Sequence, residues 1–314
     1  MRVLIDPAGR RIRKLRISLT DACQFRCFYC MPQAPRFLPH RELLPPAELL
    51  AIVGNLVDQG IDELRLTGGE PTVRPELLEI VRGLAALPVR RLGMTSNAAR
   101  LAGLLPALKE AGLTNLNISM DSLRPEVFAR VTGSRTHRDV VEAIRSAREM
   151  GFEVKVNAVL FRGLNDAEAP AFLRFAEEEG VPVRFLELMR IGPHHESQRG
   201  LFISAGEVIQ GLREAGELLE PLPGPPDTTA FEYRTAGGGR VGFIASESRP
   251  FCAGCSRLRL SATGELRACL MKTDSLSLRG LPVVDYPEVL SRVMALKPLD
   301  RVDHVDQPMV QIGG

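Results

Sequence analysis

No stretch of the 314-residue chain stays apolar for the length needed to cross a bilayer. The opening MRVLIDPAGRRIRKLRIS is basic but has no apolar core of the kind that marks a secretory signal. These absences lead to the expectation of a cytosolic (cytoplasmic) protein without membrane contact. In such reducing surroundings cysteines serve as metal ligands or redox groups rather than as disulfides. Strong charge is missing as well: the formal net charge is +2, too small to argue for a nucleic-acid partner. Lysine is scarce, five against 35 arginines, so a lysine in an odd place stands out. The five histidines show no metal-ligand spacing; His194 and His195 read as a solvated pair in a polar loop. His304 falls in the tail RVDHVDQPMVQIGG, which has no regular periodicity, and disorder is the usual expectation for such a tail.

What is present is ordinary in bulk. With 45% hydrophobic and 25% charged residues the chain reads as a soluble globular protein. Its length suits one large α/β domain with an appendage, or two modest domains. Strand-like runs recur at 15–20, 63–69, 91–97, 115–121, 153–160 and 183–188, with helix-like stretches at 46–58, 75–86, 101–111, 138–149 and 166–179 between them. Gly60, Gly112, Gly151 and Gly180 each fall where a helix should stop. The alternation predicts βαβ units with a parallel sheet, doubly wound or closed into an incomplete (β/α) barrel. In either case active residues belong at the carboxyl ends of the strands. Polar residues gather there: Thr20-Asp21, Thr67-Gly68-Gly69-Glu70, Thr95-Ser96-Asn97, Ser119, Asp121, Asn157 and Glu187. After residue 190 the texture changes to a polar loop, a helix at 204–219, a proline-rich break PLPGPPD and two hairpins, FEYRTAGGGRVGFIA and RLRLSATGELRACL. A smaller module is expected at 201–314, packed on a larger unit at 1–200.

The six cysteines form two triads, Cys23, Cys27, Cys30 and Cys252, Cys255, Cys269. Each lacks a fourth member. Three thiolates can hold three irons of a [4Fe–4S] cubane and leave the fourth iron open to a small molecule. A closed pair of ferredoxin clusters would need eight cysteines. A structural zinc site made from Cys27-x2-Cys30 and Cys252-x2-Cys255 would leave Cys23 and Cys269 idle.

The C-x3-C-x2-C spacing in DACQFRCFYC, with an aromatic residue before the last cysteine, resembles the signature of the radical S-adenosylmethionine (SAM) enzymes, and TGGEP at 67–71 resembles their Gly-Gly-Glu loop. C-x2-C-x13-C, with SRLRLS directly after its second cysteine, is similar to the GTP 3′,8-cyclase family of molybdenum cofactor biosynthesis. The similarity extends through LRLTGGEPTVR, LNISMDSL, VKVNAVL, VRFLELM and the terminal IGG. Gln24 and Ala98 depart from it, standing where the family more often has Asn and Gly. The resemblance implies an incomplete (β/α)6 TIM-like barrel with a C-terminal auxiliary iron–sulfur module. It implies two [4Fe–4S] clusters, one on each triad, and SAM chelating the open iron of the first. A 5′-deoxyadenosyl radical would then take hydrogen from ribose C3′ of GTP, the C3′ radical would attack guanine C8, and one electron and one proton, with the second cluster near the base, would complete (8S)-3′,8-cyclo-7,8-dihydroguanosine 5′-triphosphate. Tyr29, Gly69, Ser119 and Met189 would line the SAM site; Arg16, Arg65, Thr95, Lys155, Arg257 and Arg259 would contact GTP; Gly313 and Gly314 would reach into the active site. The implied partners are GTP, an external electron donor, a downstream cyclic pyranopterin monophosphate synthase and a second copy of the chain in a homodimer. Two alternatives stay open: a peptide-modifying radical SAM maturase with an auxiliary cluster, and a metal-stabilised nucleotide-binding protein without catalysis.

The cations carry an argument of their own. Arg16, Arg65 and Lys155 sit inside strand patterns beside apolar neighbours. They either snorkel from the outer face or point inward. The outer face of a helix-covered parallel sheet is apolar, so inward is the expectation, and a polyanion needs such fixed cations. Arg257 and Arg259, two apart, would share one face of a strand.

Overall fold

A computed structural model describes residues 3–192 and 195–312. At its centre are six parallel strands, β1 (Lys14–Ser18), β2 (Glu63–Thr67), β3 (Arg91–Ser96), β4 (Asn115–Ser119), β5 (Glu153–Val159) and β6 (Val183–Leu186), each paired with the next in chain order. The connections carry α1 (Pro46–Asp58), α2 (Leu77–Ala85), α3 (Leu105–Glu110), α4 (Pro125–Thr132), α5 (His137–Glu149) and α6 (Ala169–Glu178). This is an α/β architecture, and its reason lies in the alternation along each strand. Leu15 and Ile17 of β1, and Leu64 and Leu66 of β2, are buried, while Lys14, Arg16, Glu63 and Arg65 occupy the opposite face. The apolar face joins the buried helix stripes, such as Leu49, Ile52, Val53 and Leu56 of α1, in one core. The other face is left polar.

The chain after residue 200 extends this sheet at both ends. After α7 (Ala205–Glu214), closed by a Ser204–Glu207 capping box, come β7 (Leu219–Leu222), β8 (Phe231–Thr235) and β9 (Arg240–Ile244). β9 lies parallel to β6. β10 (Arg257–Leu260) lies parallel to β1 on the far edge, followed by β11 (Glu265–Arg267) and β12 (Ser275–Ser277). The sheet therefore runs β12-β11-β10-β1-β2-β3-β4-β5-β6-β9-β8-β7. α8 (Tyr286–Ala295) and the short α9 (Met309–Ile312) follow, and Leu4–Ile5 pairs with Arg11–Ile12 in a separate two-stranded ladder ahead of β1.

Several expectations change. α4 was not anticipated, although Pro125 opens it and Gly133 closes it at φ 66°. The proline-rich break contains the end of β7, where Pro221 sits on an outer strand that needs no donor on its free side. His195 is buried rather than solvated, with Nδ1 2.9 Å from the carbonyl of Gly192. The described part of the tail is not loose: Val305 bridges to Ile191, and both pack with Ile312, Met189 and Met271. His194, Gly313 and Gly314 lie outside the described residues. No described helix is long and apolar enough to cross a membrane.

Candidate active site

The first cysteine triad lies in the loop that leaves the carboxyl end of β1, against the loop that leaves β2. Glycine is required where they meet. The Gly69 N–H donates to the Thr20 carbonyl at 2.7 Å, and a Cβ on Gly69 would come within 2.3 Å of the Ala22 oxygen. Gly68, at φ 139°, would collide with Thr20 in the same way. Glu70 is buried beside them and ties the loop after β2 to the end of β3, accepting from the Thr72 hydroxyl (2.7 Å), the Ser96 hydroxyl (2.8 Å) and the Asn97 N–H (2.7 Å). Ala98 follows at φ 61°, a left-handed conformation that explains why glycine suits this position better. Asn97 directs its Nδ2 at the Cys23 sulfur, 3.5 Å away.

Burial dominates the chemistry here. It pushes the thiols up, Cys23 to about 11, Cys30 to about 12 and Cys27 well above its usual range. The Tyr29 hydroxyl donates to Asp121 at 2.9 Å, and burial lifts that carboxyl to about 6. Ser119 ends β4 opposite Asn157, and Met189 follows β6 beside Ile191 and Val305. Tyr29 and Gly69 thus lie at the triad, while Ser119 and Met189 stand at other strand ends.

The polar face of the sheet carries the cations. Arg16 pairs in register with Arg65 on one side and Arg259 on the other, and Lys155 with Asn117. Thr95 stands opposite Asn117. Arg16, Arg65, Lys155, Arg184, Arg257 and Lys14 line one cleft, whose rim holds Glu63, Glu153 and Asp227. Asp227 pairs with Lys14 at 2.7 Å and Glu153 lies 3.6 Å from Lys155, but the acids do not offset the burial of the arginines between them. Burial lowers Arg16 far below its usual value, and Arg259, Arg257, Arg65 and Arg184 lower it further. Burial, then neighbouring arginines, brings Arg65 to about 10; burial also brings Arg184 to about 10. Nη1 of Arg65 and Nη2 of Arg184 are buried without a hydrogen-bond partner. Such donors call for an anion with several oxygens. Arg184, in VRFLEL, had escaped the sequence reading although it carries the same signal as Arg16, a cation inside a strand pattern; its Nε donates to Asn157 at 3.0 Å.

The second triad sits beside β10. Arg257 Nη2 lies 3.4 Å from the Cys255 sulfur, and the Met271 N–H lies 3.4 Å from that of Cys269. Burial opposes ionisation of Cys255, but Arg257 and Lys297 override it and bring the thiol down to about 6. Arg259, two residues along, is buried and lies in register with Arg16. The two arginines therefore link the second triad to the cation cleft. The tail spans the same region: Gln307 accepts from Arg267 at 2.8 Å, and the Val310 N–H reaches the Cys30 thiol.

Comparison with known proteins bears on this arrangement. Residues 17–176 match the model of the radical SAM superfamily, and residues 181–292 match that described as Molybdenum Cofactor Synthesis C. A Synechocystis protein named GTP 3′,8-cyclase is 41% identical over 313 residues, covering 100% of this chain and 95% of its own length. The Bos taurus protein named molybdenum cofactor biosynthesis protein 1 is 40% identical over 280 residues, 88% of this chain and 44% of its own. Among solved structures, Streptococcus suis SuiB bound to S-adenosylmethionine superposes with a TM-score of 0.66 at 12% identity, over 92% of this chain and 69% of that one. That likeness is one of fold alone.

Proposed function

The chain belongs to the radical SAM superfamily and, within it, to the GTP 3′,8-cyclase family, and from that premise we propose that it converts GTP to (8S)-3′,8-cyclo-7,8-dihydroguanosine 5′-triphosphate, an early step of molybdenum cofactor biosynthesis. The observation that carries this reading is the cleft of buried, mutually repelling cations with orphaned guanidinium N–H groups, which suits a triphosphate. Arg16, Arg65, Lys155 and Arg184 would hold the phosphates, and Thr95 would add a hydroxyl. Arg257 and Arg259 would orient the rest of the nucleotide towards the second triad.

Membership of the superfamily implies a [4Fe–4S] cluster and SAM. The residues fit them: three free thiols of one loop act on one another electrostatically, and a side-chain amide already points at one sulfur. Cys23, Cys27 and Cys30 would hold the cluster; Tyr29, Gly69, Ser119 and Met189 would line SAM. When bound, the cluster and SAM would supply one-electron radical chemistry for hydrogen abstraction from the ribose of GTP. Cys252, Cys255 and Cys269 have the same donor set and would hold a second [4Fe–4S] cluster. The sheet is read as an incomplete (β/α)6 barrel over 1–200, with 201–314 as the module that carries the second cluster. Gly313 and Gly314 would enter the active site. A cytosolic enzyme of this kind would draw on an external electron donor, pass its product to a cyclic pyranopterin monophosphate synthase, and work as a homodimer.

Iron and GTP-binding measurements on anaerobically prepared protein test this together. About eight irons per chain are expected. Arg16→Ala, Arg65→Ala and Lys155→Ala should each weaken GTP binding by roughly 10–100-fold, the worth of one charge-assisted contact, at unchanged iron content. Parent affinity in all three variants would remove GTP from the cleft.

A further inference from the structure

Lys297 is one of only five lysines, and it lies two residues beyond α8 with 7% of its surface exposed. Its Nζ has three donors and uses all of them: to the Cys255 sulfur at 3.2 Å, the Arg257 carbonyl at 2.6 Å and the Ala268 carbonyl at 3.0 Å. Its partners are thus one ligand sulfur and two backbone carbonyls, with no carboxylate bonded to Nζ among the described residues. A buried ammonium facing only neutral carbonyls and thiols would be strongly unfavourable. Its environment makes sense when the sulfur side carries net negative charge.

The first triad has the opposite setting. Its buried charged neighbours are the carboxyls of Asp121 and Glu70, with the exposed Arg26 beside Cys23, and the donors to its sulfurs are neutral: the Asn97 amide, the Tyr29 hydroxyl and the N–H groups of Phe25 and Val310. The two triads have the same three thiols in contrasting fields. Reduction adds an electron to an iron–sulfur cluster, so a nearby fixed cation favours the reduced form, and hydrogen bonds to ligand sulfur act in the same direction.

Resting on the two-cluster reading above, we propose that Lys297 is a positioning residue for the second cluster, holding Cys255 between β10 and the Ala268–Cys269 segment and raising that cluster's reduction potential with its ammonium charge. The hydrogen bonds to Arg257 and Ala268 fix Nζ over the sulfur, and burial prevents water from screening it. The residue acts through Cys255 and does not need to touch the substrate.

The test is an anaerobic redox titration followed by electron paramagnetic resonance on the intact two-cluster protein. The second cluster is identified as the signal missing from Cys255→Ala, and the first serves as an internal reference. In Lys297→Gln the second midpoint should move to more negative potential while the first stays put; in Lys297→Arg, which keeps the charge, it should stay close to the parent value. A parent midpoint in Lys297→Gln, or equal shifts in both variants, overturns the role of the charge. Loss of the second cluster from both variants with the first intact makes Lys297 a structural strut and overturns it too. A parent protein with only about four irons overturns the two-cluster reading itself, and that result is distinct from the others.

Discussion

Gly93 stands opposite Arg65 across the β2–β3 ladder, and a Cβ there would lie 3.1 Å from Nη2 and 3.2 Å from Cζ of that arginine. The missing side chain gives the guanidinium room to lie across β3 on the polar face of the sheet. A methyl group could be met by a small shift of the arginine tip, but a branched side chain could not. Gly93→Val should therefore leave the fold and iron content intact and weaken GTP binding by about 10-fold, towards the loss of one charged contact. Calorimetric titration with GTP checks this; parent affinity would mean that Arg65 does not need its present position.

The two triads should separate in function. Cys27→Ala should abolish reductive SAM cleavage, because that residue belongs to the triad beside Gly69 and Tyr29. Cys255→Ala should keep measurable SAM cleavage and lose the cyclised nucleotide. Deoxyadenosine and product are counted in the same reaction. Equal, parent-like cleavage in both variants would reverse or dissolve the assignment.

Much of this arrangement was legible because it leaves local traces. The six central strands announce themselves by apolar alternation and by polar residues at their carboxyl ends, and α1 by its spaced leucines and Pro46. Arg184 carries the same sign as Arg16, a cation inside a strand pattern. Other features leave no local trace. Nothing near RLRLS reveals that β10 pairs with β1, about 240 residues earlier, since the hydrogen bonds of a parallel ladder are indifferent to side chains. Lys297 carries no local sign beyond its belonging to a scarce residue type; its partners come from β10 and the Ala268–Cys269 segment. His195 looked solvated because a polar loop hides the tail that packs on it.

Asp227 shows the same long reach. It projects from the proline-rich segment onto β1, where Lys14 Nζ lies 2.7 Å from its carboxylate, Arg13 Nε 3.1 Å, and the Ser256 hydroxyl 2.9 Å. Burial opposes its ionisation, but these hydrogen bonds and charges prevail and hold the carboxyl at about 2. Its unfolded value is about 3.9, so between roughly pH 4 and pH 2 the unfolded chain binds the extra proton. The stabilisation is complete above that window and is lost as pH falls through it. Asp227→Asn should cost on the order of 2 kcal/mol at pH 7, with the deficit shrinking as pH approaches 2. Urea midpoints of the two proteins across this range provide the measurement. A deficit that stays constant with pH would assign the effect to packing instead of charge.

The tail provides the last prediction. Its described residues already bridge the two halves of the site: Gln307 is held by Arg267 of β11, and the Val310 N–H reaches Cys30 of the first triad. Ile312 is buried against Ile191 and Val305, so the chain is anchored up to the residue before the terminal glycine pair. An anchored approach followed by two residues without side chains suits close entry to a crowded ligand. Deleting Gly313 and Gly314 should leave folding, iron content and SAM cleavage near parent values, because the described anchoring contacts of the tail stay in place. Cyclised nucleotide formed per SAM cleaved should fall by at least roughly 10-fold, about the worth of one contact to the reacting nucleotide. The ratio is measured on proteins of matched iron content. A truncated protein with the parent's ratio and rate would confine the tail's role to the packing of Val305 and Ile312, and the glycine pair would have no part in catalysis.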